Sequence, residues 1–121
     1  MNRRAALLVA GATGFLGIAL GAFGAHALKG LLEANHARDL WNTAVLYHLV
    51  HAPVLLWLAR GTVVAAPPFL CVISGVLLFS GSLYALALTK IPWIGAITPI
   101  GGLLLMAGWL LIAVGSLRSE S

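Results

Sequence analysis

The chain has 121 residues, 61% of them hydrophobic and 8% charged, with a net charge of +4 and a mean hydropathy of +1.04. An ordinary soluble domain is about half apolar and about a quarter charged, so this composition excludes a water-soluble globule, and the length leaves room for one domain. The cations form no basic stripe with interleaved aromatics, which excludes a nucleic-acid footprint.

Arg3 and Arg4 open the chain, Lys29, Glu33, Arg38 and Asp39 cluster, Arg60 and Lys90 stand alone, and Arg118 and Glu120 close it. Between them run four uncharged stretches, Ala5–Leu28, Leu40–Ala59, Gly61–Thr89 and Ile91–Leu117. Each reaches the roughly 20 residues that a helix needs to cross about 30 Å of hydrocarbon. The expected fold is an all-α integral membrane protein, a compact four-transmembrane-helix bundle in one domain, 1–121.

The first span is expected over about 5–28. Arg3 and Arg4 with Ala25-His26-Ala27 imitate a signal peptide, but the apolar stretch exceeds the roughly 7–15 residues of an h-region, so it is read as a retained span. Gly11-Ala-Thr-Gly14-Phe-Leu-Gly17 imitates a dinucleotide turn, yet it lacks the preceding strand and a suitably placed acid. Geometry accounts for these glycines better. Gly11, Gly14, Gly17, Gly21 and Gly24 fall on one helix face, and a strip without side chains lets another helix approach closely. Residues 29–39 form a polar connection that reads as a short interfacial helix.

The second span is expected over about 40–59 and is ended by Arg60-Gly61. Pro67-Pro68 starts the third, about 68–89, in which Ser74 with Gly81 and Gly75 with Ser82 extend the small-residue theme. Cys71, the sole cysteine, reads as a small buried hydrophobe. Lys90 to Trp93 is a turn, and the fourth span covers about 95–116, with Pro99 in its first turns and Gly101, Gly108 and Gly115 at heptad spacing. Four spans put both termini on one side. Arg3, Arg4, Arg60 and Arg118 share it, against Lys29, Arg38 and Lys90, which favours cytoplasmic termini.

Span two carries polar groups within the membrane. Thr43, Tyr47 and His51 are spaced by four, His48 lies beside them, and His26 ends the first span. The two span-two histidines lie roughly 12–17 Å along the helix by its rise. An imidazole at that depth must face the protein interior and be hydrogen-bonded. Three readings compete for this cluster of His26, Thr43, Tyr47, His48 and His51. In the first, the side chains bond neighbouring helices and fix the bundle. In the second they hold a metal or haem, although a third ligand would have to come from His26, His36 or Asp39 and four-ligand closure is not evident. In the third they line a proton or small-solute pathway in an oligomer. A triad of Asp39, His51 and Ser80 or Ser82 lacks a nucleophile elbow and an oxyanion loop.

Four segments carry a resemblance: Gly21-Ala-Phe-Gly-Ala-His26-Ala-Leu, Thr43-Ala-Val-Leu-Tyr47-His48-Leu-Val-His51-Ala, Phe79-Ser-Gly-Ser-Leu-Tyr84-Ala-Leu, and Thr98-Pro99-Ile-Gly101-Gly102 through Gly108-Trp109. Together they resemble the small inner-membrane proteins of the YgdD/YwdK type, which have animal relatives of the transmembrane protein 256 type. The resemblance implies four spans and a bacterial inner-membrane location, and supplies no activity. It also implies that Gln often replaces His48, so His26, Tyr47 and His51 carry the pattern and an obligatory His48 ligand is disfavoured. The leading expectation is a non-enzymatic accessory or lipid- or partner-binding module without metal or cofactor, in the bilayer as a homo-oligomer or beside a membrane-protein partner.

Overall fold

In the computed structural model, which describes residues 1–118, the elements in chain order are α1 (Arg3–Ala25), α2 (Lys29–Ala34), α3 (Arg38–Ala59), α4 (Ala66–Thr89), a 3-10 turn (Pro92–Ala96) and α5 (Thr98–Arg118). Glu120 lies outside the described residues. Helices of 21 to 24 residues are about 32–36 Å long by the helix rise, enough to cross hydrocarbon. Four helical segments meet the length and apolarity of a span, and the described residues contain no strand. The protein is an all-α, four-span membrane protein.

Local chemistry sets the helix ends. The Asn2 side chain accepts hydrogen bonds from the backbone N–H groups of Arg4 (2.8 Å) and Ala5 (3.3 Å), satisfying two donors that a helix start leaves open. Pro67 and Pro68 sit in the first turn of α4, where a missing N–H costs nothing. Lys90 ends that helix in the left-handed region, at φ 58°. Pro53 lies inside α3, a position the span pattern left unremarked; it has no N–H for the Leu49 carbonyl, a loss that packed membrane helices tolerate. The polar connection supplies α2, which buries Leu32 and exposes Lys29 and Glu33. Just beyond it, the Asn35 amide donates to the Ala87 carbonyl at 2.9 Å and ties this turn to the end of α4. The Glu33–Arg38 pair, 3.9 Å apart with both side chains more than half exposed, contributes little.

The long helices pack in the order α1–α3–α4–α5; no residue of α1 comes within 8 Å of α5, Cα to Cα. In lipid the hydrophobic effect does not press helices together, so close approach and interhelical hydrogen bonds must do so. Two antiparallel seams provide the approach. Along the first, Gly14 faces Ala52, Gly17 faces His48 and Leu49, Gly21 faces Val45, and Gly24 faces Trp41. Along the second, Gly75 meets Leu105, Gly101 meets the Phe79 backbone, and Gly108 meets Val72. Gly11, Gly81 and Gly115 lie outside these contacts, since a Cβ on each would find nothing within 4 Å. The buried core spreads along both seams, with Ala6, Ala10, Leu55, Phe69, Val72, Val76 and Leu105 near one end and Leu32, Trp41 and Ala87 near the other.

Candidate functional site

α3 packs against both α1 and α4, so polar side chains on its covered faces can reach several helices. His48 is 6% exposed and His51 5%. Three residues on a helix correspond to about 300°, so the two rings leave α3 about 60° apart and meet different neighbours.

His48 lies between α1 and α4. Its Nε2 is 2.7 Å from the Thr13 carbonyl oxygen and its Nδ1 is 2.9 Å from the Tyr84 hydroxyl. A carbonyl only accepts, so Nε2 carries the proton. A neutral ring then accepts from Tyr84 at Nδ1, and neutrality is what this depth in hydrocarbon favours. Tyr84 also leans on the Trp41 ring, with centroids 4.7 Å apart. His51 has the opposite arrangement. The Trp109 indole N–H donates to its Nε2 at 3.0 Å, and an indole can only donate, so Nε2 is bare. The proton sits on Nδ1, which donates to the Tyr47 carbonyl at 2.7 Å.

Further bonds complete the network. The Trp41 indole donates to the Leu20 carbonyl at 2.9 Å, Ser80 to the Ala44 carbonyl at 2.7 Å, and Thr13 to the Val9 carbonyl at 2.7 Å. Ser82 and Thr98 join hydroxyls across α4 and the start of α5. Among the described residues, every buried side-chain nitrogen and oxygen has a partner.

The five polar residues singled out in the sequence are not all gathered here. His48 and His51 are buried at the centre. Tyr47 is 40% exposed and lies over Phe79, ring centroids 4.4 Å apart. Thr43 is exposed, because each step of four residues overshoots a full turn by about 40° and the stripe winds from Thr43 on the outside to His51 on the inside. His26 is exposed too: α1 ends at Ala25, and the chain turns with the His26 N–H bonded to the Ala22 and Phe23 carbonyls, which leaves the ring at the surface. The partners Thr13, Tyr84 and Trp109 are what the sequence reading missed. Among the described residues, no three His, Cys, Asp or Glu side chains converge as a metal site would require.

Comparison with known proteins gives a consistent result. Residues 20–102 match the family model described as "Protein of unknown function (DUF423)". The chain is similar to the UPF0382 membrane protein YwdK of Bacillus subtilis, 40% identical with 85% of this chain and 88% of the relative covered. It is 42% identical to a UPF0382 membrane protein of Haemophilus influenzae, covering 90% of each. It is 37% identical to the UPF0382 inner membrane protein YgdD of Escherichia coli, covering 98% of this chain and 93% of the relative. No solved structure matches.

Proposed function

This chain belongs to the DUF423 family, and we propose that it works as a non-enzymatic accessory module of the inner membrane, acting through what binds it. One observation carries the reading. Each buried histidine commits both ring nitrogens to hydrogen bonds within the chain, and three of the four bonds cross to another helix. A metal or haem ligand needs a bare ring nitrogen aimed at the metal. At His51 the bare nitrogen holds an indole proton, and at His48 it holds a tyrosine proton. The histidines act as pins between helices.

The outer faces of α1 and α5 carry exposed apolar side chains such as Phe15, Ile18, Leu103 and Leu110, which suit lipid, a second copy or a partner helix. A location with both termini in the cytoplasm agrees with the distribution of arginines and lysines. The test is an absorption spectrum and a metal analysis of the protein purified in mild detergent, beside its His51→Ala variant. The expected result is no stoichiometric metal or haem in either, and a variant that stays helical with a lower unfolding temperature. Stoichiometric haem, copper or zinc that disappears with His51→Ala would overturn the reading.

A further inference from the structure

α1 and α4 both lean on α3, and a crevice of about 190 Å³ lies between them. Its lining includes Leu16 and Leu77, which are exposed at 51% and 66%, and Thr13, His48 and Ser80, which are buried. The crevice therefore runs inward from the lipid-facing surface to a polar floor completed by Tyr84. Thr13, His48 and Leu77 each stand near the middle of their helices, so the opening is close to the bilayer midplane.

The polarity of that floor is one-sided. Thr13 Oγ1, Ser80 Oγ, His48 Nε2 and Tyr84 Oη have their protons directed at the Val9, Ala44 and Thr13 carbonyls and at His48 Nδ1 respectively. A hydroxyl oxygen that donates one bond still has two lone pairs. The floor thus presents an acceptor, Tyr84 Oη, with Ser80 fully buried one helical turn away, and no free donor.

We infer that this crevice binds a membrane-dissolved molecule bearing a ring hydroxyl, of the hydroquinone type, which donates a hydrogen bond to Tyr84 Oη. Depth selects against phospholipid headgroups, which are held about 15 Å away at the interface. Chemistry selects against acyl-chain ends, which have nothing to donate. A ring hydroxyl in hydrocarbon has no partner and loses a hydrogen bond's worth of free energy until it finds an acceptor. Size agrees, since a cavity of about 150 Å³ accepts a benzene ring. The corresponding quinone offers only acceptors to a floor with no free donor, so the site distinguishes the reduced from the oxidised ring. The inference gives the binding reading proposed above a ligand class, and its failure leaves the role of the histidines as pins untouched.

The test uses the full chain in nanodiscs, under anaerobic conditions, with a decyl-substituted 1,4-hydroquinone and the matching 1,4-benzoquinone as probes. Binding is measured above the partition into empty discs. The expected result is saturable binding of one hydroquinone per chain, with the quinone about tenfold weaker, the ratio that one hydrogen bond of about 1.4 kcal/mol provides. Gly81 borders the crevice, and a Cβ there meets nothing within 4 Å. Gly81→Leu is therefore expected to fill the space, leave the unfolding temperature near that of the wild type, and reduce hydroquinone binding at least about tenfold. Tyr84→Phe is expected to narrow the gap between the two probes. Equal uptake by loaded and empty discs, equal affinity for the two ring forms, or undiminished binding by a folded Gly81→Leu protein would each overturn the inference. Cross-links between protomers running from Leu16 to Leu77, formed without hydroquinone, would do the same by giving the crevice to a second copy.

Discussion

His48 asks its two neighbours for opposite things, an acceptor at Nε2 and a donor at Nδ1. A glutamine amide offers the same pair, a donating NH₂ and an accepting carbonyl. His48→Gln is expected to lower stability by less than about 1 kcal/mol, while His48→Leu leaves the Tyr84 hydroxyl without its acceptor and costs about 1–3 kcal/mol. Denaturant unfolding of both variants in the same detergent checks the difference, and equal losses would contradict it. The histidines were legible in the sequence because a titratable ring inside an apolar run is conspicuous. Their partners were not. Thr13, Tyr84 and Trp109 lie 35, 36 and 58 residues away from the rings they meet, and a backbone carbonyl leaves no mark in the side-chain pattern. His26 misled for a related reason, because nothing in its spacing announces that α1 ends one residue before it.

At the scale of the helix, the glycines do more than allow approach. A helical side chain covers the turn on the N-terminal side of its own Cα, so a glycine uncovers the carbonyl four residues earlier. Gly17 stands four residues after Thr13, whose carbonyl takes the His48 proton. Gly24 stands four residues after Leu20, whose carbonyl takes the Trp41 indole proton. These glycines are windows through which α3 bonds to the α1 backbone. A Cβ at Gly17 would come within 3.2 Å of the His48 ring and 2.6 Å of Leu49 Cδ2, and one at Gly24 would overlap the Trp41 indole. Gly24→Ala is therefore expected to destabilise by about 1–3 kcal/mol through overpacking and loss of the indole bond. Gly11→Ala, in open space, is expected to be neutral or to gain up to about 1 kcal/mol from helix propensity. Thermal unfolding of the two variants side by side tests this, and a Gly11→Ala protein harmed as much as Gly24→Ala would count against the window account. Spacing made the glycine face of α1 legible. It left open which glycines find a partner, because that depends on where α3 stops covering α1, which is decided by tertiary packing.

For the whole molecule, the distribution of charge pointed to four spans, and the described residues contain four helical segments long and apolar enough to cross a membrane, because a charge in hydrocarbon is costly and so collects at helix ends. The same reasoning could not reach the order of packing, in which α3 and α4 are central and α1 and α5 stay apart. Uncharged stretches say where helices are and nothing about which of them adjoin. With four spans, reporter fusions at the two termini are expected to respond from the same compartment, which is the cytoplasm in the orientation proposed above. A split result would remove one span from the account, and a periplasmic result for both would reverse its orientation.

The central claim is that the intramembrane histidines are neutral pins with opposite tautomers, and the most direct measurement is ¹⁵N NMR of imidazole-labelled protein in lipid bilayers, with His48→Gln and His51→Ala to assign the signals. The account predicts His48 protonated at Nε2 and His51 at Nδ1, each with one bare, hydrogen-bonded nitrogen, and no change on adding zinc or haem. A shared tautomer, or a His51 Nε2 signal that moves when either is added, would contradict it.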